Sequence, residues 1–501
     1  MTGLPQGWAS AKIPDVLAEL PTGNIIDQGW SPKCENFPSE SEETWGALKT
    51  TAIQDGRFEP QHTKQLPDHL EPKPALEVRE GDLLMTCAGP RVRCGVICRV
   101  ERVRPKLFIS GKMYRFRPNP QVVDGDYLLG ALRSPDLQLA IDQIKTGGSE
   151  SGLNLTQDRF KSLSLPLPPL PEQRRIVRKL DTLSARSTTA RTHLTTLEKL
   201  VPRYKLAVLR SAFSGELTGK FRAETTTEPL SILLKRTPPP QQGRGGRQPT
   251  SEVIAGRGGI SVNVPDVDLP EGWAWVHLLR VARQETGHTP SRSRPDWWDG
   301  DVCWMSIPDA NLHHGRVIYD TIQKTNEDGL ANSSARLLPA GTVVLSRTAS
   351  VGYICILGKD MATSQDFATW TCTDALLPEY LMYALLSEGE DIKKFGEGST
   401  HTTIYFPEIR AFHIKLAPIE EQHEIVRRIK AAFAKIDRLK AEAAKALKLL
   451  GHLDQRILAK AFAGDLVPQD PNDEPAETLL ARIREARAAA PKARRGRKAK
   501  A

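Results

Sequence analysis

One spacing governs the chain. Residues 167–180 (LPPLPEQRRIVRKL) return as residues 416–429 (LAPIEEQHEIVRRI). Pro169, Glu172, Gln173, Ile176, Val177 and Arg178 each stand 249 positions before their counterparts. A second block, residues 209–217 (LRSAFSGEL), returns as residues 458–466 (LAKAFAGDL) at the same spacing. Upstream, residues 4–8 (LPQGW) answer residues 269–273 (LPEGW). Self-similarity this regular means two copies of one structural plan, each running from a variable region into a long helix.

The helices are legible in the repeat. Each opens on proline followed by acidic residues, Pro171-Glu172 and Pro418 with Glu420 and Glu421. Proline suits the first helical turn, and carboxylates suit its positive dipole end. Alternating steps of four and three trace an apolar seam through Ile176, Leu180, Leu194 and Leu197. The same steps run through Ile425, Ile429, Ile436 and Leu439. Two seams near 40 residues long predict an antiparallel coiled-coil pair about 60 Å in length. Pro202 is expected to kink or break the first helix.

Short apolar strands joined by loops, then a helix, recur in both variable regions, so the predicted class is α/β (mixed α+β). The expected division is variable domains at 1–167 and 263–418, long helices at 168–218 and 419–464, and a flexible linker at 219–262. Residues 465–501, an acidic joint with proline and then a basic tail, are expected to be disordered. Hydrophobic residues make up 39% of the chain and charged residues 26%. That balance excludes collagen, mucin-like stalks and wholesale disorder. No apolar run is long enough to span a membrane and no secretory signal is visible. The seven cysteines lack paired zinc-ligand spacing and read as reduced thiols of a cytoplasmic protein.

The net charge of +9 is unevenly placed. Residues 482–501 carry nine Lys/Arg against one Glu, which leaves the remaining chain almost balanced. Within the first variable domain, residues 91–117 hold nine Lys/Arg against Glu101 alone. Such a strip suits a nucleic-acid-facing surface, and equally a solvated sheet face.

These blocks, in order and in duplicate, resemble the specificity subunit of type I restriction–modification systems. The second domain adds residues 289–292 (TPSR), 297–301 (WWDGD), 304–306 (WMS), 332–339 (NSSARLLP), 341–347 (GTVVLSR) and 398–400 (GST). The resemblance covers about residues 4–466. It implies two target-recognition domains, each reading one half of a split double-stranded DNA site, with the helices setting the separation. It also implies two docked methyltransferase subunits, which modify adenine N6, and motor-nuclease subunits. S-adenosylmethionine, ATP and Mg would then reside in those partners, with no cofactor bound by this chain. Half-sites about one helical turn apart, ~34–36 Å, call for readers held at fixed distance and rotation. A flipped adenine would enter a pocket in the partner.

The chain carries no catalytic motif of its own. The Gly-rich loop and Asn-Pro-Pro-aromatic motif of adenine methyltransferases are absent, and Gly215-x3-Gly219-Lys220-Phe221 misses both the phosphate-loop spacing and its hydroxyl. The reading is a non-catalytic DNA-recognition subunit; the alternative is a stand-alone DNA-binding protein or a complete DNA methyltransferase. For DNA contact the expected residues are Ser346, Arg347, Thr348 and Ser350, with Ser399, Thr400 and His401, in the second domain. In the first they are Arg91, Arg93, Arg115 and Arg117. Arg forks onto guanine or phosphate, and hydroxyls bond base edges.

Overall fold

The structure, a computed structural model, describes residues 3–243, 247–348, 350–398 and 402–489. The chain divides into two compact units, the first comprising Met1–Leu194 with Lys445–Ala501 and the second Thr195–Ala444. Both cuts fall inside a long helix, Leu170–Phe213 or Ile419–Ala463. Each unit therefore takes the front of one copy and the back of the other, a division that differs from one domain per copy. Among the described residues no helix is long and apolar enough to cross a membrane.

The two units repeat one sheet plan. In the first, Leu83–Thr86 pairs antiparallel with Ile97–Arg99 and with Met113–Pro118, which also pairs with Ile26–Gln28. In the second, Val343–Ser346 pairs antiparallel with Ile354–Leu357 and with Phe367–Cys372, which also pairs with Ala282–Thr286. A smaller sheet accompanies each, with a parallel step of Leu107–Phe108 on Gly46–Leu48, or of Ala362–Thr363 on Val302–Met305. The central strands Leu83–Thr86 and Val343–Ser346 are buried along their length, so continuous apolar runs rather than alternation mark them.

The repeated motifs prove to be fasteners. In LPQGW and LPEGW, Gly7 and Gly272 sit at φ of +79° and +80° in a turn closed by Trp8 N donating to Pro5 O and Trp273 N to Pro270 O. Only glycine adopts that backbone without strain. The turn aims each indole at the helix-opening glutamate, Trp8 Nε1 to Glu172 Oε2 at 3.1 Å and Trp273 Nε1 to Glu421 Oε2 at 2.9 Å. The neighbouring glutamines are fully buried and triply bonded. Gln173 accepts from Asp124 N and donates to Val122 O and Pro168 O; Gln422 accepts from Leu377 N and donates to Ala375 O and Ala417 O. The closing block crosses over between copies. Phe213 meets Tyr380 edge-on at 5.0 Å in the second unit, and Phe462 meets Tyr127 at 5.3 Å in the first.

Within each unit the helix segments run antiparallel. Arg191 pairs with Asp454 and Arg175 with Asp473 in the first, and Lys205 with Asp437 and Arg222 with Glu421 in the second. The predicted seam holds only in part. Ile176, Ile425 and Ile429 are fully buried, and Leu180, Leu194 and Ile436 are half-buried. Leu197 and Leu439 are 42% and 51% exposed, which corrects their assignment to the seam. A strict heptad drifts about 20° per seven residues around a straight helix, carrying such positions off the contact face. Pro202 does not end its helix, which runs on to Phe213.

Two further expectations are corrected. The 219–262 segment is not a featureless linker. It forms helices Gly219–Glu224 and Leu230–Arg236, buries Leu230 and Leu233, and adds strand Ile260–Val262 to Phe412–Leu416. Its glycines serve close approach: a Cβ on Gly258 would lie 2.0 Å from Ser387 Oγ. The buried Glu388 carboxylate accepts from the N–H groups of Arg257, Gly258 and Ile260 at 2.8–3.1 Å. Nor is the C-terminal segment disordered throughout, because Ala476–Ala489 is a helix that buries Ala476, Leu479 and Leu480. Residues 490–501 lie outside the described residues. These two segments are themselves a repeat, 228–236 (EPLSILLKR) against 474–482 (EPAETLLAR). Each closes an equivalent ion pair, Glu228–Arg236 at 2.9 Å and Glu474–Arg482 at 2.8 Å. Few apolar positions, and flanks rich in proline and charge, hide this motif in the linear sequence.

Candidate nucleic-acid interface

The loop leaving each central strand starts from a hydroxyl clamp. Ser346 Oγ donates to Ser350 O at 2.6 Å and accepts from Tyr353 N at 2.8 Å. Thr86 Oγ1 does the same in the first unit, donating to Arg93 O and accepting from Val96 N. Both hydroxyl residues are buried, so Ser346 closes its loop and does not face DNA, a correction to its expected role. The next residue, Arg347 or Cys87, is held by matching backbone bonds. Arg347 N donates to Asp366 O and its carbonyl accepts from Ile404 N; Cys87 N donates to Lys112 O and its carbonyl accepts from Leu155 N. The backbone frame is common to both units while the side chains on it differ.

Arg347 is the distinctive group of the second unit. Its guanidinium lies 4.4 Å from the Phe406 ring centroid, and Nη2 donates to Gln365 O at 3.1 Å. Its buried Nε has no hydrogen-bond partner among the described residues. Burial pulls its pKa below the usual guanidinium value, with Asp366 acting in the opposite direction. Thr348 Oγ1 donates to Asp366 Oδ1 at 2.6 Å, and Ser350 is half-buried at the loop turn. Ser399, Thr400 and His401 lie outside the described residues, between Glu397 and Thr403, which pair with each other. The fold thus brings the predicted 346–350 loop and the flanks of the 399–401 segment together through Ile404.

The arginines of the first unit are engaged internally. Arg115 and Asp27 form an ion pair at 2.6 Å with both side chains only 3% exposed, and Arg115 also donates to Ala75 O and Glu77 O. Buried among these partners, Arg115 cannot reach DNA, which corrects that expectation. Arg117 forks onto the buried Asp82. Arg93 donates to Thr50 O and Ile53 O, fastening its loop to residues 50–54. Arg91 joins Glu150 and Asp142 at 2.6 and 2.7 Å, tying the loop to the 147–151 segment. The bond to Lys145, and then that to Arg91, lowers the pKa of Asp142, while the bond to Arg91 lowers that of Glu150. Within the strip, Arg102 and Lys112 are exposed and form no ion pair among the described residues. Lys112 occupies the position that Asp366 holds in the second unit. Charge counting located the strip, but only packing separates its free cations from its paired ones.

A family model described as the type I restriction modification DNA specificity domain matches residues 77–199 and 270–448. The chain belongs to that family. It is a DNA-specificity subunit and non-catalytic. Relatives include the type I restriction enzyme EcoKI specificity subunit of Escherichia coli strain K12, 23% identical over 506 residues and covering 97% of each chain. The EcoEI specificity subunit of Escherichia coli is 36% identical over 178 residues, 36% of this chain and 29% of that protein. Among solved structures, the HsdS subunit from Thermoanaerobacter tengcongensis shares the fold at a TM-score of 0.56 and 19% identity, over 92% of this chain and 98% of that one. A chain from a study of complex assembly in the type I R-M system gives 0.60 at 21% identity, over 93% and 100%. The matched ranges include the Thr86–Lys112 and Ser346–Asp366 frames, so the paired loops belong to the specificity domain itself.

Proposed function

We propose that each unit of this specificity subunit reads one half of a split double-stranded DNA site through the loop that follows its central strand. The observation that carries this reading is the shared frame with exchanged side chains: Arg347 beside Asp366 in one unit, Cys87 beside Lys112 in the other. One backbone can then address two different half-sequences. Arg347 is the reader in the second unit, its guanidinium set over Phe406 and paired with no carboxylate among the described residues, which suits a base-edge acceptor. Two methyltransferase subunits, using S-adenosylmethionine on adenine N6, and motor-nuclease subunits, using ATP and Mg, are the proposed partners. The proposed setting is the cytoplasm, where all seven cysteines would remain free thiols, as they are here.

The test is methylome sequencing with and without the gene. A split adenine-methylated motif that disappears with the gene is expected. Arg347→Ala should then relax that motif at one position of one half-site, a cost of ~1–3 kcal/mol in competition binding. Equal weakening on all sequences would make Arg347 a phosphate contact instead. Methylation by the purified chain with S-adenosylmethionine and no partner would overturn the non-catalytic reading.

A further inference from the structure

The second unit carries an exposed cation that the loop frame does not explain. Between strands Ala282–Thr286 and Val302–Met305 the chain makes a long excursion rich in tryptophan and arginine. Trp298 of this excursion forms a platform with Trp304 of the strand that follows. Trp298 and Trp304 meet edge-to-face at 4.9 Å and 90°. Trp298 Nε1 donates to Ser291 O at 3.2 Å and Trp304 Nε1 to His288 O at 3.0 Å, so both indole donors are occupied inside the loop. Asn326 and Thr325 fasten the loop's far side, Asn326 Nδ2 to Asp296 O and Thr325 Oγ1 to Trp297 O.

Arg292 lies on this platform, its guanidinium carbon 3.9 Å from the Trp298 ring centroid and 5.0 Å from that of Trp304. Nη2 donates to Gln323 Oε1 at 2.9 Å, and no carboxylate pairs with it among the described residues. Its neighbour Arg294 differs, being neutralised by Asp296 through two bonds of 2.9 and 2.6 Å. Arg292 is therefore exposed, held by Trp298 and Gln323, and unneutralised among the described residues. The loop adjoins the reading frame, since Thr289 Oγ1 donates to Gln365 Oε1 and Gln365 O accepts from Arg347.

We propose that Arg292 binds a DNA backbone phosphate flanking the half-site read by the second unit, the tryptophan pair holding its fork in place. The proposal rests on that unit facing DNA as proposed above. Phosphate is favoured over a base because a guanidinium held against Trp298 and bonded to Gln323 has no free length to enter a groove. A pinned planar fork still matches the two oxygens of a phosphate that comes to the surface. Stacking also fixes the side chain before DNA arrives, which lowers the ordering cost of the contact.

The experiment uses the full-length chain and two fluorescein-labelled duplexes, one bearing the motif assigned by methylome sequencing and one scrambled, titrated across a salt series. Arg292→Gln should weaken both duplexes alike, about tenfold. The slope of log affinity against log salt should flatten by about one, with the methylated motif unchanged. Arg292→Lys, which keeps the charge but not the fork, should restore the slope and only part of the affinity. A thermal melt equal to the parent's establishes that the fold is intact. An unchanged slope, or relaxed recognition at one base pair, overturns the phosphate assignment. If the parent chain fails to discriminate the two duplexes, the reading of the second unit fails, while the change in slope still decides the role of Arg292.

Discussion

Arg115 and Arg347 carry the same charge into opposite surroundings. Arg115 is enclosed with Asp27 and two carbonyl oxygens and only 3% exposed, its buried Nε without a partner among the described residues. Arg347 lies over Phe406 and, among the described residues, forms no carboxylate bond. Removing one member of a buried pair strands the other, at about 3–5 kcal/mol. Arg115→Met should therefore lower stability by that order in denaturant unfolding, while methylation in cells carrying the variant falls on the unchanged motif. A shifted motif would return Arg115 to the interface. The sequence marked residues 91–117 as basic and could go no further, because net charge records how many cations exist and not which carboxylates, such as Asp27, Asp82 or Glu150, reach them from distant positions.

At the scale of elements, the long helices were legible because their signals are local: proline and acid at the start, apolar residues at helical period, and a conformational block after the last turn. At that block Gly464 and Gly215 hold φ of +86° and +80°. A Cβ on Gly464 would stand 2.4 Å from Pro5, and one on Gly215 2.4 Å from Pro270, so each closing glycine abuts an LPxGW turn. The register of burial along the helices was less legible, since it depends on how far each follows a 3.5-residue period. Ile429 is fully buried and Leu439 half in solvent, ten residues apart on one helix. Ile429→Ala should cost about 2–5 kcal/mol in thermal or denaturant unfolding, a transfer loss plus a cavity. Leu439→Asp should cost less than about 1 kcal/mol. Equal costs would restore Leu439 to the seam.

At the scale of the whole chain, the first unit is assembled from both ends of the polypeptide. Ala476 N donates to Gly7 O at 2.9 Å, Arg484 pairs with Asp15 at 2.8 Å, and Arg487 donates to Pro14 O and Leu17 O. Truncation before Ala476 should uncover the core around Trp8 and Leu17. Calorimetry should then show the transition of the first unit moved down and that of the second unmoved. Removal of residues 490–501 alone, with its six Lys/Arg, should leave the melt intact and flatten the salt dependence of DNA binding. A single transition displaced as a whole by the longer truncation would contradict independent units.

The sequence by itself determined that there are two copies, that each owns a long helix, and that the ordered motifs are those of a DNA-specificity subunit. These properties reside in local periodicity and in repetition at one spacing, which survive without knowledge of contacts. Only the tertiary structure decided that the back of each copy closes the front of the other, that the segments at 219–262 and 476–489 are structured fasteners, and that most of the basic strip is neutralised internally. Each of those outcomes depends on partners distant in sequence, from Asp82 35 positions before Arg117 to Phe462 far beyond Tyr127. Burial then separates candidates that the linear chain leaves equivalent: a cation beside a buried carboxylate, such as Arg115, is part of the structure, whereas Arg292 and Arg347, set over aromatic rings, carry no such partner among the described residues.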